Sequence, residues 1–412
     1  MTATVKCKDK IIFRFTFFIY LCGLMAHNRG YGFDARFTRL SFVLFVGICF
    51  LFFIKRADSA YIAKKSFFFS TLLLWTFYFF SVLWSKDMSC WEDNGIRNSL
   101  IQIIFTSFVI ETTSDSVDDC KAYLKIYLFS IVYMMALLII CTPYSDWGAE
   151  RVGSALGLNS NTVGIRCSIS FILSLYFFTC KEKFRIIYLF IAILSVYISL
   201  FSGSRKAVLI LIVGFIVYWC GKVKGLKLLV RISLAIIAVS ILIYFIMTNE
   251  TLYHILGRRI ERGFNFILGN SEKIVDSSSI ERKFYRDYAI EMFYNHPIIG
   301  YGGNGFVAEM KRINHFHIAY SHCNYFELLS TLGIIGFVLY YKIQINMLLV
   351  SLKQYQFSST DKETVCVVLA IILTNLLSEY YIVSYYNPSM QILLCVLFVT
   401  LRFLNKKEGY TD

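Results

Sequence analysis

The stretch AYSHCNYFELLSTLGIIGF, residues 319–337, starts polar, carries a histidine, and passes within a few positions into an apolar run. About 20 mostly apolar residues cross a bilayer as a helix. His322 therefore stands where the chain leaves water for lipid. Glu327 lies roughly one and a half turns further in, where a carboxylate is costly unless it is paired or faces a cavity. From His322, Gly333 is eleven positions on, close to three whole helical turns. That spacing predicts one shared face, with Gly333 and Gly336 letting another helix approach closely.

The same pattern of short polar breaks between long apolar runs recurs along the whole chain. Of 412 residues, 57% are hydrophobic and 17% charged, against about 45–50% apolar in soluble domains. The expected fold is an all-α polytopic membrane protein, a single integral membrane domain over 1–412. Twelve spans are predicted, near 11–27, 39–54, 66–84, 97–113, 122–142, 161–180, 186–202, 205–221, 229–248, 320–341, 363–383 and 388–405. The first, with Arg14 and no small-residue cleavage site after it, reads as a retained span rather than a signal peptide.

The net charge is +14. The basic residues sit in KCKDK, KRADSAYIAKK, KEKFR, KVKGLKLLVR and NKKEG, which all fall on one side of a twelve-span chain. That side is the cytoplasm by the positive-inside rule, and the distribution argues against nucleic acid as a partner. ETTSDSVDDCK (acidic, inside) and HNRGYGFDARFTR (basic, outside) fit less well. Among the 12 cysteines no metal or redox spacing occurs. Several lie in apolar runs as small hydrophobes, and Cys90 with Cys323 is the one pair whose predicted side allows a disulfide.

One large outer loop, residues 249–319, separates spans nine and ten. A loop of that length has structure or function of its own. It holds His254, His296, His315 and His317, and a short amphipathic helix. Ser278 and Glu281 have capping-box spacing, and Ile280, Phe284, Tyr288 and Met292 form an apolar stripe. Arg282 and Arg286 share a neighbouring face, and Pro297 ends the helix.

Three outer positions could carry chemistry. Arg205, at the top of a span in LFSGSRKAVLILIVGF, reads either as a snorkelling arginine or as an anion-binding fork. In the second case Gly203 and Ser204 would add backbone N–H groups at a helix start. Arg282, with Arg286 beside it, is either a solvated helix face or a second arm of the same clamp. His322 is either an interfacial polar tip or a general base.

Taken in order, SGSRKA, SIERKFYRDYAIEMFYNHPIIGYGGNGF and SHCNYFELLSTLGIIGF resemble the O-antigen ligase and O-antigen or capsular polysaccharide polymerase superfamily. Its ligase members carry a histidine, a small polar residue, nine residues, then Gly-x-x-Gly. Here His322 is followed by Cys323 in place of the usual Asn, Ser or Gln, with Asn324 beside it as a substitute, and by Gly333 and Gly336. RVGSALGLNSNTVG resembles the family's segment before a span, with Arg151 and Asn161 as markers. The resemblance covers roughly residues 150–340.

It implies a GT-C-like glycosyltransferase of the bacterial cytoplasmic membrane, its site facing outward. Glycan would pass from a polyprenyl-diphosphate carrier to an acceptor, with no cofactor or metal. Arg205 and Arg282 would hold the diphosphate, and His322 would activate the acceptor hydroxyl. Arg286, Arg151, Asn161, Asn324 and Glu327 are candidates for substrate binding. The bilayer and lipid-linked donor and acceptor are the expected partners, and a chain-length regulator is a possible further one. The motif wording and an Ile, Phe, Tyr and Lys bias favour repeat-unit polymerase over ligase to lipid A core. A lipid-linked glycan flippase is the competing class. Against it stand the lack of a visible internal repeat and the concentration of polar residues in one loop.

Overall fold

A computed structural model describes residues 2–26, 35–55, 66–85, 94–180, 184–267, 277–313, 319–357 and 361–407. The described residues are helical, without a β-strand. In chain order they form α1 (Thr2–Ala26), α2 (Ala35–Lys55), α3 (Phe67–Phe80), α4 (Asn94–Thr113), α5 (Val117–Cys141), α6 (Ser160–Thr179), α7 (Arg185–Phe201), α8 (Arg205–Cys220) and α9 (Leu226–Thr248). Then come α10 (Glu250–Leu252), a π-turn over Tyr253–Gly257, α11 (Arg258–Ile267), α12 (Ser277–Asn295), α13 (Gly305–Ile313), α14 (Asn324–Phe357), α15 (Lys362–Glu379) and α16 (Pro388–Lys407).

A helix stands at each of the twelve expected span positions. Five of them, α5, α6, α9, α14 and α16, are long and apolar enough to cross a membrane by length and composition, and α3 and α7 are shorter apolar helices. The protein is thus a polytopic membrane protein. Its main core joins α1, α2, α5, α6, α15 and α16 around residues such as Phe17, Tyr20, Tyr127 and Tyr176. A second core joins α3 and α4 to α14 and the α15–α16 turn, where Trp75 stacks on Tyr385 at 5.9 Å. Apolar side chains such as Leu234, Ile237 and Ile241 of α9 face outward, as lipid contact requires.

Small polar residues lock α6, α7 and α8 together. Ser168 donates to the Ala207 carbonyl at 2.8 Å, and Ser195 donates to Ser170 at 2.8 Å. Such pairs let membrane helices approach closely and satisfy hydroxyls away from water. Their consequence is positional: the α7–α8 turn, residues 202–204, is pressed against the start of α6.

The chain around Gly333 differs from the expected single helix. Gly333 has φ 63 and ψ −164, which breaks α14 in two. The Pro297–Gly302 segment docks into the break. Ile334 N–H donates to the Pro297 carbonyl at 2.9 Å, and Gly302 N–H donates to the Thr331 carbonyl at 2.7 Å. A Cβ on Gly333 would lie 2.3 Å from the Ile298 carbonyl oxygen. The glycine thus admits a loop backbone rather than a neighbouring helix. His322 lies before the helix, at φ 58, so the three-turn face shared with Gly333 is not formed.

Gly333→Ala is expected to undock the Pro297–Gly302 segment, because its backbone region is open almost only to glycine and the added methyl has no room. Faster proteolysis within that segment and a lower melting temperature in detergent are the results to look for. Unchanged values for both would contradict the docking.

The amphipathic helix is present as α12, and it ends before Pro297. Its buried face is Tyr285, Ala289 and Met292, packed on Phe306, Met310 and Ala319, while Ile280 and Phe284 are exposed. The expected stripe is corrected here: steps of four advance 400°, so a four-residue repeat drifts about 40° per step around the helix. The side chain of Ser278 lies outside the described residues, and Glu281 accepts from the Tyr285 hydroxyl at 2.7 Å. His315, His317 and Cys90 lie outside them too, and Cys323 is buried as a free thiol.

Candidate functional site

Two adjacent turns and one helix build a cavity at the end of the bundle where α6 and α8 begin. The α7–α8 turn leads into α8. Gly203 has a positive φ of 60, and the Ser204 side chain caps the helix by accepting from Ala207 N–H at 3.3 Å. Arginines grip the turn: Arg151 Nε donates to the Ser202 carbonyl at 2.9 Å, and Arg259 Nη1 donates to the Gly203 carbonyl at 2.7 Å. Arg205 Nη1 in turn donates to the Arg259 carbonyl at 2.8 Å. Arg151 also donates from Nη2 to Asn161 Oδ1 at 3.0 Å.

These cations crowd one another. Burial first, then the charges of Arg259, Arg282 and Arg205, hold the Arg151 guanidinium down at about 10. Lys206 is within electrostatic reach of the same four arginines. One helical residue turns the direction by about 100°, so Arg205 and Lys206 diverge. Arg205 goes to α11. Lys206 goes to the α15–α16 turn, donating to the Tyr381 carbonyl at 2.6 Å.

The cavity between these elements measures about 240 Å³ and is lined by Lys206, Arg282, His322, Tyr320, Asn161 and residues of the α15–α16 turn. His322 is half-buried, its ring centroid 4.1 Å from that of Tyr320 and 5.9 Å from that of Tyr285. Burial is the main cause, and the Arg282 and Lys206 charges the next, of a pKa lowered to about 4. The imidazole is neutral at physiological pH and able to accept a proton.

Its strained turn has a built support. Ser321 N–H donates to the Glu327 carboxylate at 2.8 Å, and the Ser321 hydroxyl accepts from Cys323 N–H at 3.3 Å. Glu327 does not line the cavity; it sits near the positive end of α14 and closes this turn. Asn324 also stands behind the wall. Its Oδ1 accepts from Ser384 N–H at 2.9 Å and Tyr385 N–H at 3.0 Å, and its amide donates to the Tyr341 hydroxyl at 2.9 Å. The polar atoms of both are engaged inside the protein, which gives each a supporting position behind the cavity.

Of the remaining sequence candidates, Arg282, His322 and Asn161 come together in the cavity. Arg205 and Arg151 belong to the cation cluster behind it. Arg286 points elsewhere, its guanidinium 5.4 Å from the centre of the Tyr380 ring. Sequence reasoning missed Lys206, Arg259 and Tyr320. Lys206 stood in plain view beside Arg205, but only the helix phase shows that it, rather than its neighbour, faces the cavity. Arg166 was missed as well. It lines the cavity from α6 and caps the end of α1, donating to the Met25 carbonyl at 2.6 Å. Among the described residues no cluster of His, Cys, Asp or Glu could hold a metal ion.

Bundle and cavity define a class: a polytopic helical membrane protein with a cationic cavity, bearing a neutral histidine, at one end. Residues 190–341 match the family model described as O-antigen ligase, within the region where the order of the motifs carries the resemblance. The matched segment includes Arg205, Lys206, Arg259, Arg282 and His322. Arg151, Asn161 and the α15–α16 turn lie outside it. None of the curated proteins compared with the chain matches it.

Proposed function

We propose that the protein is a polysaccharide repeat-unit polymerase, a glycosyltransferase joining polyprenyl-diphosphate-linked oligosaccharides of an O-antigen or capsule. The observation that carries this reading is the cavity that sets neutral His322 against Arg282 and Lys206. The distribution of basic loops supports an outward-facing site in the cytoplasmic membrane, and the helices that stand at the twelve expected span positions support twelve spans in a GT-C-like arrangement.

In the proposed reaction, Arg282 and Lys206 bind the diphosphate and stabilise the charge that builds as it leaves, with Arg205, Arg151 and Arg259 adding to the field. An acceptor hydroxyl attacks C1 of the donor sugar. The bond from C1 to the diphosphate oxygen breaks, a bond from C1 to the acceptor oxygen forms, and the acceptor proton passes to His322. Polyprenyl diphosphate departs with the bonding electron pair. A single displacement of this kind inverts the anomeric centre.

A ligase reading is favoured by the description of the matching family. One assay separates the two. Purified protein given only the lipid-linked repeat unit should yield a ladder of products, each rung one repeat longer than the last. If transfer appears only after lipid A core is added, the protein is a ligase. If neither condition gives a product while the lipid crosses the bilayer, glycosyl transfer is wrong and a flippase is right.

A further inference from the structure

The cations Lys206, Arg282 and Arg166 account for only part of the cavity lining. The turn between α15 and α16, Tyr380–Asn387, which Lys206 meets at the Tyr381 carbonyl, lines it too, and nothing in the proposed chemistry uses it. It is neutral and presents Tyr381, Tyr386 and Asn387 to the same space as Asn161 and Tyr320. It is also held from behind with unusual care. Buried Glu379 accepts from the Ser384 hydroxyl at 2.8 Å, from Tyr340 at 2.7 Å and from Asn375 at 3.1 Å. Gln391 donates to the Ser384 carbonyl at 3.2 Å, and Asn324 takes the Ser384 and Tyr385 N–H groups. Three buried polar side chains thus converge on Ser384. Such a network restrains the backbone of the turn through Glu379 Oε1, while Glu379 Oε2 is buried without a hydrogen-bond partner among the described residues.

Two amides on this side have a set orientation. Asn387 Oδ1 accepts from Ser389 N–H at 3.1 Å and from the Ser389 hydroxyl at 2.8 Å, at the start of α16. Asn161 Oδ1 is taken by Arg151 at 3.0 Å. The Asn387 oxygen is fully committed and the Asn161 oxygen holds one bond, and each side chain has its NH₂ group to offer. A rigid wall of tyrosine faces and amide donors, without net charge, suits a ligand with a flat C–H face and oxygens around its rim. Tyrosine supplies such contact area at low entropy cost, and a few placed donors set orientation.

We propose that the Tyr380–Asn387 turn, with Asn161 and Tyr320, is a subsite for a neutral pyranose of the lipid-linked glycan, stacked on the tyrosines and accepting hydrogen bonds from Asn387 and Asn161. The assignment rests on the glycosyl-transfer reading above. Glu379, Asn324 and Gln391 are positioning residues for it.

The test measures binding to the full-length protein in nanodiscs. The probes are polyprenyl diphosphate without sugar and the lipid-linked repeat unit purified from the native membrane. Asn387→Ser keeps a residue that caps α16 but removes the amide donor, and Tyr386→Leu removes a ring face. The wild type is expected to bind the sugar-bearing lipid at least about tenfold more tightly than the bare carrier, and each variant to lose about fivefold of that excess. Affinity for the bare carrier should hold within about twofold in the variants, which also shows that they fold. Equal wild-type affinity for the two probes, or variants that keep the whole excess, would overturn the subsite while leaving the diphosphate site intact. Absence of binding to the bare carrier would overturn the glycosyl-transfer reading and the subsite with it. A soluble repeat-unit oligosaccharide assigns the source. If it competes, the sugar belongs to the acceptor; if it does not, the sugar is the one attached to the donor's own diphosphate.

Discussion

Cells carrying His322→Ala are expected to keep the protein in the membrane and to make single repeat units only. Loss of a general base costs about 10²–10⁴ in rate, and a processive polymer falls away with each missed step. The imidazole is neutral because burial, Arg282 and Lys206 hold its pKa at about 4. The sign follows directly. A base must be unprotonated, so its acid limb in the free enzyme belongs near pH 4, not near the ordinary histidine value of about 6.5. Between pH 7.5 and 5.5, kcat/KM should therefore show no loss due to His322. An acid limb centred near pH 6.5 in the wild type, absent from residual His322→Ala activity, would contradict the burial and charge described for this ring. Binding of the diphosphate brings negative charge beside Arg282 and Lys206. It offsets the field that suppresses the imidazole, so the base strengthens when the donor is in place.

Arg282→Ala should cost nearly as much, on the order of 10²–10³ in kcat/KM, because it removes a cation aimed at developing charge in a half-buried cavity. Arg282→Lys should recover little of this, since a point charge does not reproduce a planar fork on phosphate oxygens. The same substitution carries a second signature. Arg282 is one of the charges that lowers the His322 pKa, so removing it raises that pKa and moves the acid limb of the remaining activity to higher pH. A merely structural arginine would lower activity at all pH values alike. Products resolved by length across a pH series read both effects, and full activity with alanine would refute the diphosphate role.

Much of this was legible in the sequence for a physical reason: apolar runs of membrane length can do little but form helices. Helices stand at all twelve expected span positions, and SGSRKA, the α12 region and SHCNYFELLSTLGIIGF all lie within residues 190–341, the segment that matches the family model described as O-antigen ligase. Arg282, His322 and Asn161, singled out from position and chemistry, line one cavity. What failed did so where tertiary contacts decide. Gly333 was read as a residue that packs one helix on another, but the loop at Pro297–Gly302 fills that space. Asn324 and Glu327 were candidates for substrate binding, Glu327 also for a helix-dipole partner, and each is turned inward to hold a backbone turn. Arg259 and the Tyr380–Asn387 wall carry no motif of their own, and Lys206, inside SGSRKA, is told from Arg205 only by helix phase. Only folding brings Lys206 and the Tyr380–Asn387 turn to one cavity.

The most direct measurement is a structure of the full-length protein in lipid with a non-transferable donor, a polyprenyl diphosphate sugar carrying a phosphonate in place of the scissile oxygen. The diphosphate is expected within hydrogen-bond distance of Arg282 and Lys206, with the sugar's C1 turned toward His322 and its ring against the Tyr380–Asn387 turn. A diphosphate seated anywhere else, with the cavity between α6, α8 and α12 still empty, would contradict the site at its root.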